Sequence, residues 1–135
     1  MLKIEGLKMI DLSDSKAPLE SKKTDFILSE EVLENFRKAF RWTSPTIPPS
    51  FAARAFVGMF EILNRLEVDW KKLLHVSQTF SYQKKIEIGE EMKAQSFLKR
   101  WKKRGNIYWL HFENQLTSAS GENLLTAESL IMVED

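Results

Sequence analysis

Between Phe51 and Leu66 the polar side chains are Arg54, Glu61, Asn64 and Arg65, and every other residue is apolar or glycine. A helix of that composition cannot face water on most of its sides, and the stretch falls short of the run needed to cross a bilayer. It is therefore expected to be a rod enclosed by the rest of the chain. Its large side chains would each contribute about 1.5–3 kcal/mol if fully buried, which makes it the centre of the fold. Ser50 is placed to cap it by accepting a bond from a first-turn N–H. Arg54, Glu61 and Arg65 lie seven and four residues apart, close to whole turns, and are expected to pair with one another on one narrow stripe. Gly58 lowers helix propensity by about 1 kcal/mol relative to alanine, so it is expected to admit a close neighbour.

The elements around this rod follow from punctuation and period. Ser29 can cap a helix over 29–41, with Glu30 and Glu31 suiting its N-terminal dipole and Val32, Leu33, Phe36, Ala39 and Phe40 at helical spacing. Pro45, Pro48 and Pro49 make 42–49 a loop. After Trp70 the period becomes two: Leu74, Val76, Gln78, Phe80 and Tyr82 alternate with His75, Ser77, Thr79 and Ser81. On that count His75 shares a strand face with Ser77 and Thr79, away from Phe80. Further strands are expected at about 90–103, 106–118 and 123–134, with turns at Arg104-Gly105-Asn106 and Ser120-Gly121-Glu122. Two helices followed by an antiparallel meander give an α+β domain in which the sheet curls around the second helix. Residues 1–23 read as a partly extended arm, with room for one short strand, and 24–135 as the domain.

Composition narrows the function. Hydrophobic residues make up 43% and charged residues 29%, ordinary for one globular domain. The absence of cysteine excludes disulfides, thiolate catalysis and cysteine-type zinc sites. A formal net charge of +1 argues for neither a nucleic-acid nor a membrane partner. With no signal-like apolar run near Met1 and no spanning segment, a soluble cytoplasmic protein is expected.

The order of elements resembles a known family. Ser29-Glu30-Glu31-Val32 leads into a helix, Ile47-Pro48-Pro49-Ser50-Phe51 opens the rod, and Leu74-His75-x-x-Gln78-x-Phe80-x-Tyr82 and Ile88-Gly89-Glu90 follow. This is similar to the FAS1-like or MaoC-type dehydratase N-terminal domain, a hot-dog fold, over roughly residues 24–134. The same pattern occurs in non-catalytic companion subunits of (3R)-hydroxyacyl-ACP dehydratases. The resemblance implies acyl-thioester chemistry in fatty-acid metabolism, without a cofactor, on acyl-CoA or acyl-ACP. It also implies pairing as a homodimer or as a heterodimer with a catalytic hot-dog subunit. The family's catalytic motif is an Asp followed five positions later by a His, between the two helices. Here that loop is Trp42-Thr43-Ser44-Pro45-Thr46-Ile47-Pro48-Pro49, with no Asp, Glu or His. Lys84-Lys85 also replaces the proline usual before the glycine, and Glu90 stands where Asp is commoner. No catalytic residue is therefore assigned.

Binding candidates remain. Free N–H groups near Ser50, Phe51 and Ala52 could meet a thioester carbonyl at the helix start. His75 and Gln78 match the family's strand motif and could orient a ligand or a neighbouring subunit, against the alternative of a structural histidine. His75 and His111 are the two histidines, and their spacing makes no metal site. Lys99, Arg100, Lys102, Lys103 and Arg104, interrupted by Trp101, could contact carrier phosphates or the acidic surface of a carrier protein. The alternative there is a solvated hairpin end with its edge guarded by lysines. Two rival functions stand beside the companion reading. One is an active hot-dog thioesterase or hydratase using Glu61 or Glu90. The other is a nucleic-acid-binding module built on 99–104.

Overall fold

Two short strands, β1 (Leu19–Glu20) and β2 (Thr24–Ile27), precede helices α1 (Glu30–Phe40) and α2 (Val57–Arg65). A 3-10 turn at Trp70–Lys72 then leads into four long strands, β3 (Leu73–Tyr82), β4 (Glu91–Arg104), β5 (Ile107–Ser118) and β6 (Asn123–Glu134). The computed structural model describes residues 19–41 and 54–135. All strands join one antiparallel sheet in the order β1-β4-β5-β6-β3, with β2 also on β4. This is the α+β hot-dog architecture, a sheet curling over a helix.

Local chemistry explains the elements. The Ser29 hydroxyl accepts from the Val32 N–H at 3.2 Å and caps α1, whose first turn carries Glu30 and Glu31 and whose last turn carries Arg37 and Lys38. Gly105 adopts φ +60° in the β4–β5 turn, a backbone region that side chains disfavour. Along β4, β5 and β6 inward and outward residues alternate, and the inward set includes Ala94, Leu98, Leu110, Phe112, Leu116, Leu125, Ala127, Ile131 and Val133. These form one core with Ala55, Phe56, Met59, Ile62 and Leu63 from the central helical segment and Leu33 from α1.

Three β-bulges interrupt the alternation, at Lys99 on β4, at Val76 on β3 and at Leu124 on β6. Each extra residue bends its strand and sharpens its twist. Each also exchanges the faces of everything beyond it. Trp101 thereby joins the partly buried residues packed on the core.

The central rod departs from the sequence reading in two ways. It is not enclosed all round. Gly58, Met59, Ile62 and Leu63 are buried, but Val57 is 43% and Phe60 47% exposed on the opposite flank, where Phe60 meets the exposed Trp70 ring at 5.9 Å. One curled sheet reaches only one side of a helix, and among the described residues little else covers the flank of Val57 and Phe60. Second, Glu61 and Arg65 serve backbone groups of the residues next to β1. Glu61 Oε2 accepts from the Lys22 N–H at 2.9 Å, and Arg65 Nη2 donates to the Glu20 carbonyl at 2.8 Å. Those groups lie at the end of a strand of only two residues and just past it, and the helix stripe satisfies them.

Gly58 does admit a close neighbour. A Cβ built there would lie 2.2 Å from Ser21 Oγ and 2.8 Å from Ser21 Cβ. Ser21 is itself buried and tied to β4, donating its N–H to the Ser96 carbonyl at 2.9 Å and accepting from the Ser96 N–H at 2.9 Å. Helix propensity alone makes Gly58→Ala stabilising by about 1 kcal/mol. The clash instead predicts a net destabilisation of about 1–3 kcal/mol in urea unfolding. Adding Ser21→Gly should recover part of the loss.

Candidate functional site

Three successive strands each place one polar residue among their inward apolar ones: Ser96 on β4, Asn114 on β5 and Ser129 on β6, all buried. They form a hydrogen-bonded ladder across the sheet floor. Ser96 Oγ donates to Asn114 Oδ1 at 2.6 Å, and Asn114 Nδ2 donates to the Ala127 carbonyl at 3.2 Å and to Ser129 Oγ at 3.0 Å. Ser129 Oγ donates in turn to Gln78 Oε1 on β3 at 2.5 Å. Gln78 Nε2 donates to the Thr79 carbonyl at 3.0 Å, which fixes the amide with its oxygen toward Ser129.

The ladder ends on His75, whose Nε2 lies 3.1 Å from Gln78 Oε1. An amide oxygen only accepts, so Nε2 is the donor of this bond. The bulge at Val76 corrects the sequence count: His75 lies on the same face as Gln78 and Phe80. Its ring meets Phe56 edge-on at 6.2 Å, and Phe56 stacks on Phe80 at 5.8 Å. A polar ladder tip thus sits beside an aromatic shelf formed where the central helical segment meets β3. Among the described residues no strand pairs with β3 on its other side, and Leu74, Val76, Phe80 and Tyr82 along it are exposed.

The amides and hydroxyls of the ladder can orient a ligand but do not themselves act as general bases, and among the described residues no carboxylate is recorded against His75. Glu61 accepts from the Lys22 N–H, and Glu90 Oε1 accepts from the Glu87 N–H at 3.3 Å. Neither rival carboxylate therefore reaches His75. The helix-start candidates Ser50, Phe51 and Ala52 lie outside the described residues, as does the 42–49 loop. Among the described residues no cluster of metal-ligating side chains occurs and no helix is long and apolar enough to cross a membrane.

The basic run is divided by the Lys99 bulge. Arg100, Lys102 and Arg104 pair with His111, Trp109 and Ile107 and share their outer face, whereas Lys103 pairs with Tyr108 on the inner side. Lys99 Nζ lies 3.9 Å from Glu113, and Lys103 Nζ lies 2.7 Å from Asp135 and 4.9 Å over the Tyr108 ring. Among the described residues no strand lies on the far side of 99–104, an arrangement in which lysines can guard an edge. Burial, then the charges of Arg100 and Lys102, push the His111 imidazole below its ordinary range, while Glu128 pulls the other way.

With this geometry in hand, comparison with known proteins is informative. A family model described as "FAS1-like, dehydratase domain region" matches residues 29–127. The chain belongs to that family. A search of curated proteins finds no match. Among solved structures, this FAS1-like domain is similar to a chain of the C-terminally truncated HadBC (3R-hydroxyacyl-ACP dehydratase) complex from Mycobacterium tuberculosis. That match has a TM-score of 0.73 at 17% identity, covering 87% of this chain and 97% of that one. It is also similar to the (R)-hydratase from A. caviae involved in PHA biosynthesis, with a TM-score of 0.60 at 14% identity, covering 87% and 96%. A MaoC-like dehydratase from Rhodospirillum rubrum aligns with a TM-score of 0.59 at 14% identity, covering 91% and 95%. These likenesses show the fold.

Sequence reasoning missed Ser96, Asn114 and Ser129. The signal was present as a polar residue at an inward position of three consecutive strands, where two-residue alternation demands apolar ones.

Two measurements check this site. Asn114→Ala removes the partner of three buried groups and opens a cavity, so it should cost about 3 kcal/mol or more in urea unfolding. By NMR, His111 should titrate below about 6.5, the ordinary imidazole value, and Lys102→Gln should raise its midpoint. Because the folded-state pKa is the lower one, the unfolded chain takes up the proton first as pH falls below about 6.5. Stability should therefore decrease from there down to the folded-state value and level off below it, and His111→Phe should remove that part of the slope.

Proposed function

We propose that this FAS1-like domain is a non-catalytic companion subunit of a hydroxyacyl-thioester dehydratase, pairing through β3 with a hot-dog subunit that supplies the Asp and His. The observation that carries this reading is the free edge itself. A ten-residue strand with Leu74, Val76, Phe80 and Tyr82 exposed is a ready template for another chain's strand. Leu74 and Tyr82 are 55% and 52% exposed, apolar area that a partner strand and its flanking residues would cover. The open flank of α2 and Trp70 lies next to this edge in the chain, so one partner could cover both.

The resemblance to acyl-thioester dehydratases supplies the substrate class. In this reading the aromatic shelf of Phe56 and Phe80 borders the acyl chain, and the helix start near Ser50, Phe51 and Ala52 faces the thioester carbonyl. His75, held by Gln78, orients the ligand or the facing subunit through Nδ1. The loop from Trp42 to Pro49 lacks Asp, Glu and His, which favours a companion over an active enzyme.

The purified chain alone should give no hydration of crotonyl-CoA above the buffer rate. Mixed with a MaoC-type subunit bearing the Asp/His motif, it should form a 1:1 complex by analytical ultracentrifugation and extend turnover to longer enoyl thioesters. Val76→Lys with Tyr82→Lys should weaken that complex at least tenfold, about 1.4 kcal/mol, while leaving the circular dichroism spectrum unchanged. Turnover by the chain alone, or a complex indifferent to the two lysines, would overturn the reading.

A further inference from the structure

The outer face of the sheet, away from α2, carries a second surface independent of the β3 edge. Arg100, Lys102 and Arg104 point outward in one column on β4. Next to them stand His111, Trp109 and Ile107 on β5, then Leu130 and Met132 on β6 and Leu74 on β3. Lys99 and Lys103 pair with Glu113 and Asp135, whereas among the described residues Arg100, Lys102 and Arg104 are in no ion pair. Depressions of about 440 Å³ and 350 Å³ flank His111, one lined by Lys99, Arg100, Trp101 and Lys102, the other reaching Ser77, Thr79 and Leu130. The cations thus run beside a half-buried apolar strip of Trp109, Leu130 and Met132, which Glu134 beside Ile107 bounds at one end and Glu128 beside Glu113 at the other.

We propose that this outer face docks an acidic amphipathic helix of a partner protein. The spacing suits one. Alternate strand residues are about 6.8 Å apart, close to the roughly 6 Å between helix positions i and i+4, so Arg100, Lys102 and Arg104 match acidic residues on successive turns. A helix is about 10 Å across and strands lie about 4.8 Å apart, so a helix along β4 with acids over the cations sets its apolar stripe on Trp109, Leu130 and Met132. A second copy of this chain is a poor occupant, because the unpaired cations of the two copies would face one another. A nucleic acid would use the cations but leave the Met132 and Leu130 column without a role.

The test uses a fluorescent, helix-stabilised peptide with glutamates at i, i+4 and i+8 beside a leucine stripe. Three controls accompany it: a scrambled peptide of equal charge, a single-stranded oligonucleotide, and the helix with its leucines changed to serine. The full chain should bind the helix with micromolar affinity that weakens as salt is raised, and chemical shifts should move on Trp109, His111 and Met132. Lys102→Glu with Arg104→Glu should lower affinity at least tenfold, and Trp109→Ala should do so without altering net charge. Equal binding of the scrambled peptide, the serine variant or the oligonucleotide would overturn the proposal in favour of a plain polyanion surface. Binding unaffected by both variants, or shifts confined to the β3 edge, would also overturn it. The β3 variant Val76→Lys with Tyr82→Lys should leave helix binding unchanged, which separates this outcome from the pairing of subunits.

Discussion

The carboxamide of Asn114 is fully buried at the middle of the sheet, and an amide there is tolerable only with its donors and acceptor all engaged. That requirement constrains much else. Its oxygen needs Ser96 directly across on β4, and its nitrogen needs Ser129 and the Ala127 carbonyl on β6. A one-residue slip of either neighbour would send those hydroxyls to the outer face. The amide thus specifies register in a meander that apolar alternation alone would leave more permissive. From Ser96 the constraint passes to Ser21 and so to the close approach of Gly58, and from Ser129 to Gln78 and His75.

Much of this architecture was legible in the residues because local signals agreed with the global fold. The Ser29 cap, the helical spacing of Leu33 and Phe36, the two-residue alternation of the later strands and the turn at Gly105 each point to one element. Gly58 was readable as a close-approach residue, although which neighbour it admits was not. What could not be read were the three bulges. A bulge adds one residue that no local property marks, and only the partner strand reveals it. Counting by twos therefore placed His75 opposite Phe80, whereas the extra residue at Val76 brings them together under Phe56. The same blindness merged Arg100 to Arg104 into one cluster, when the Lys99 bulge and strand parity divide it between two faces.

The polar stripe of α2 shows a different limit. Helical spacing made Arg54, Glu61 and Arg65 look like mutual partners, because periodicity sees only one helix at a time. Glu61 and Arg65 in fact hold the Glu20 and Lys22 backbone. A strand of two residues cannot satisfy its own flanking groups, and charged side chains from the neighbouring helix make up the difference.

These features meet at one place. Phe56 leads directly into α2, stacks on Phe80 of the free strand and touches the ring of His75 where the polar ladder ends. Trp70, the companion of Phe60 on the open helix flank, stands three residues before that strand begins. A strand added to β3 would therefore extend the sheet past the ladder tip and bring the second chain's own surface toward the uncovered side of α2. The segment between the helices holds no Asp, Glu or His, so in the proposed pairing the acid–base groups come from the added chain. In that reading this chain contributes a hydrogen-bonded floor, an aromatic shelf and an imidazole held by Gln78. Holding a substrate asks for fixed groups and exclusion of water, both supplied by neutral hydrogen bonds and apolar area, and neither needs the ionisable pair that the reaction does.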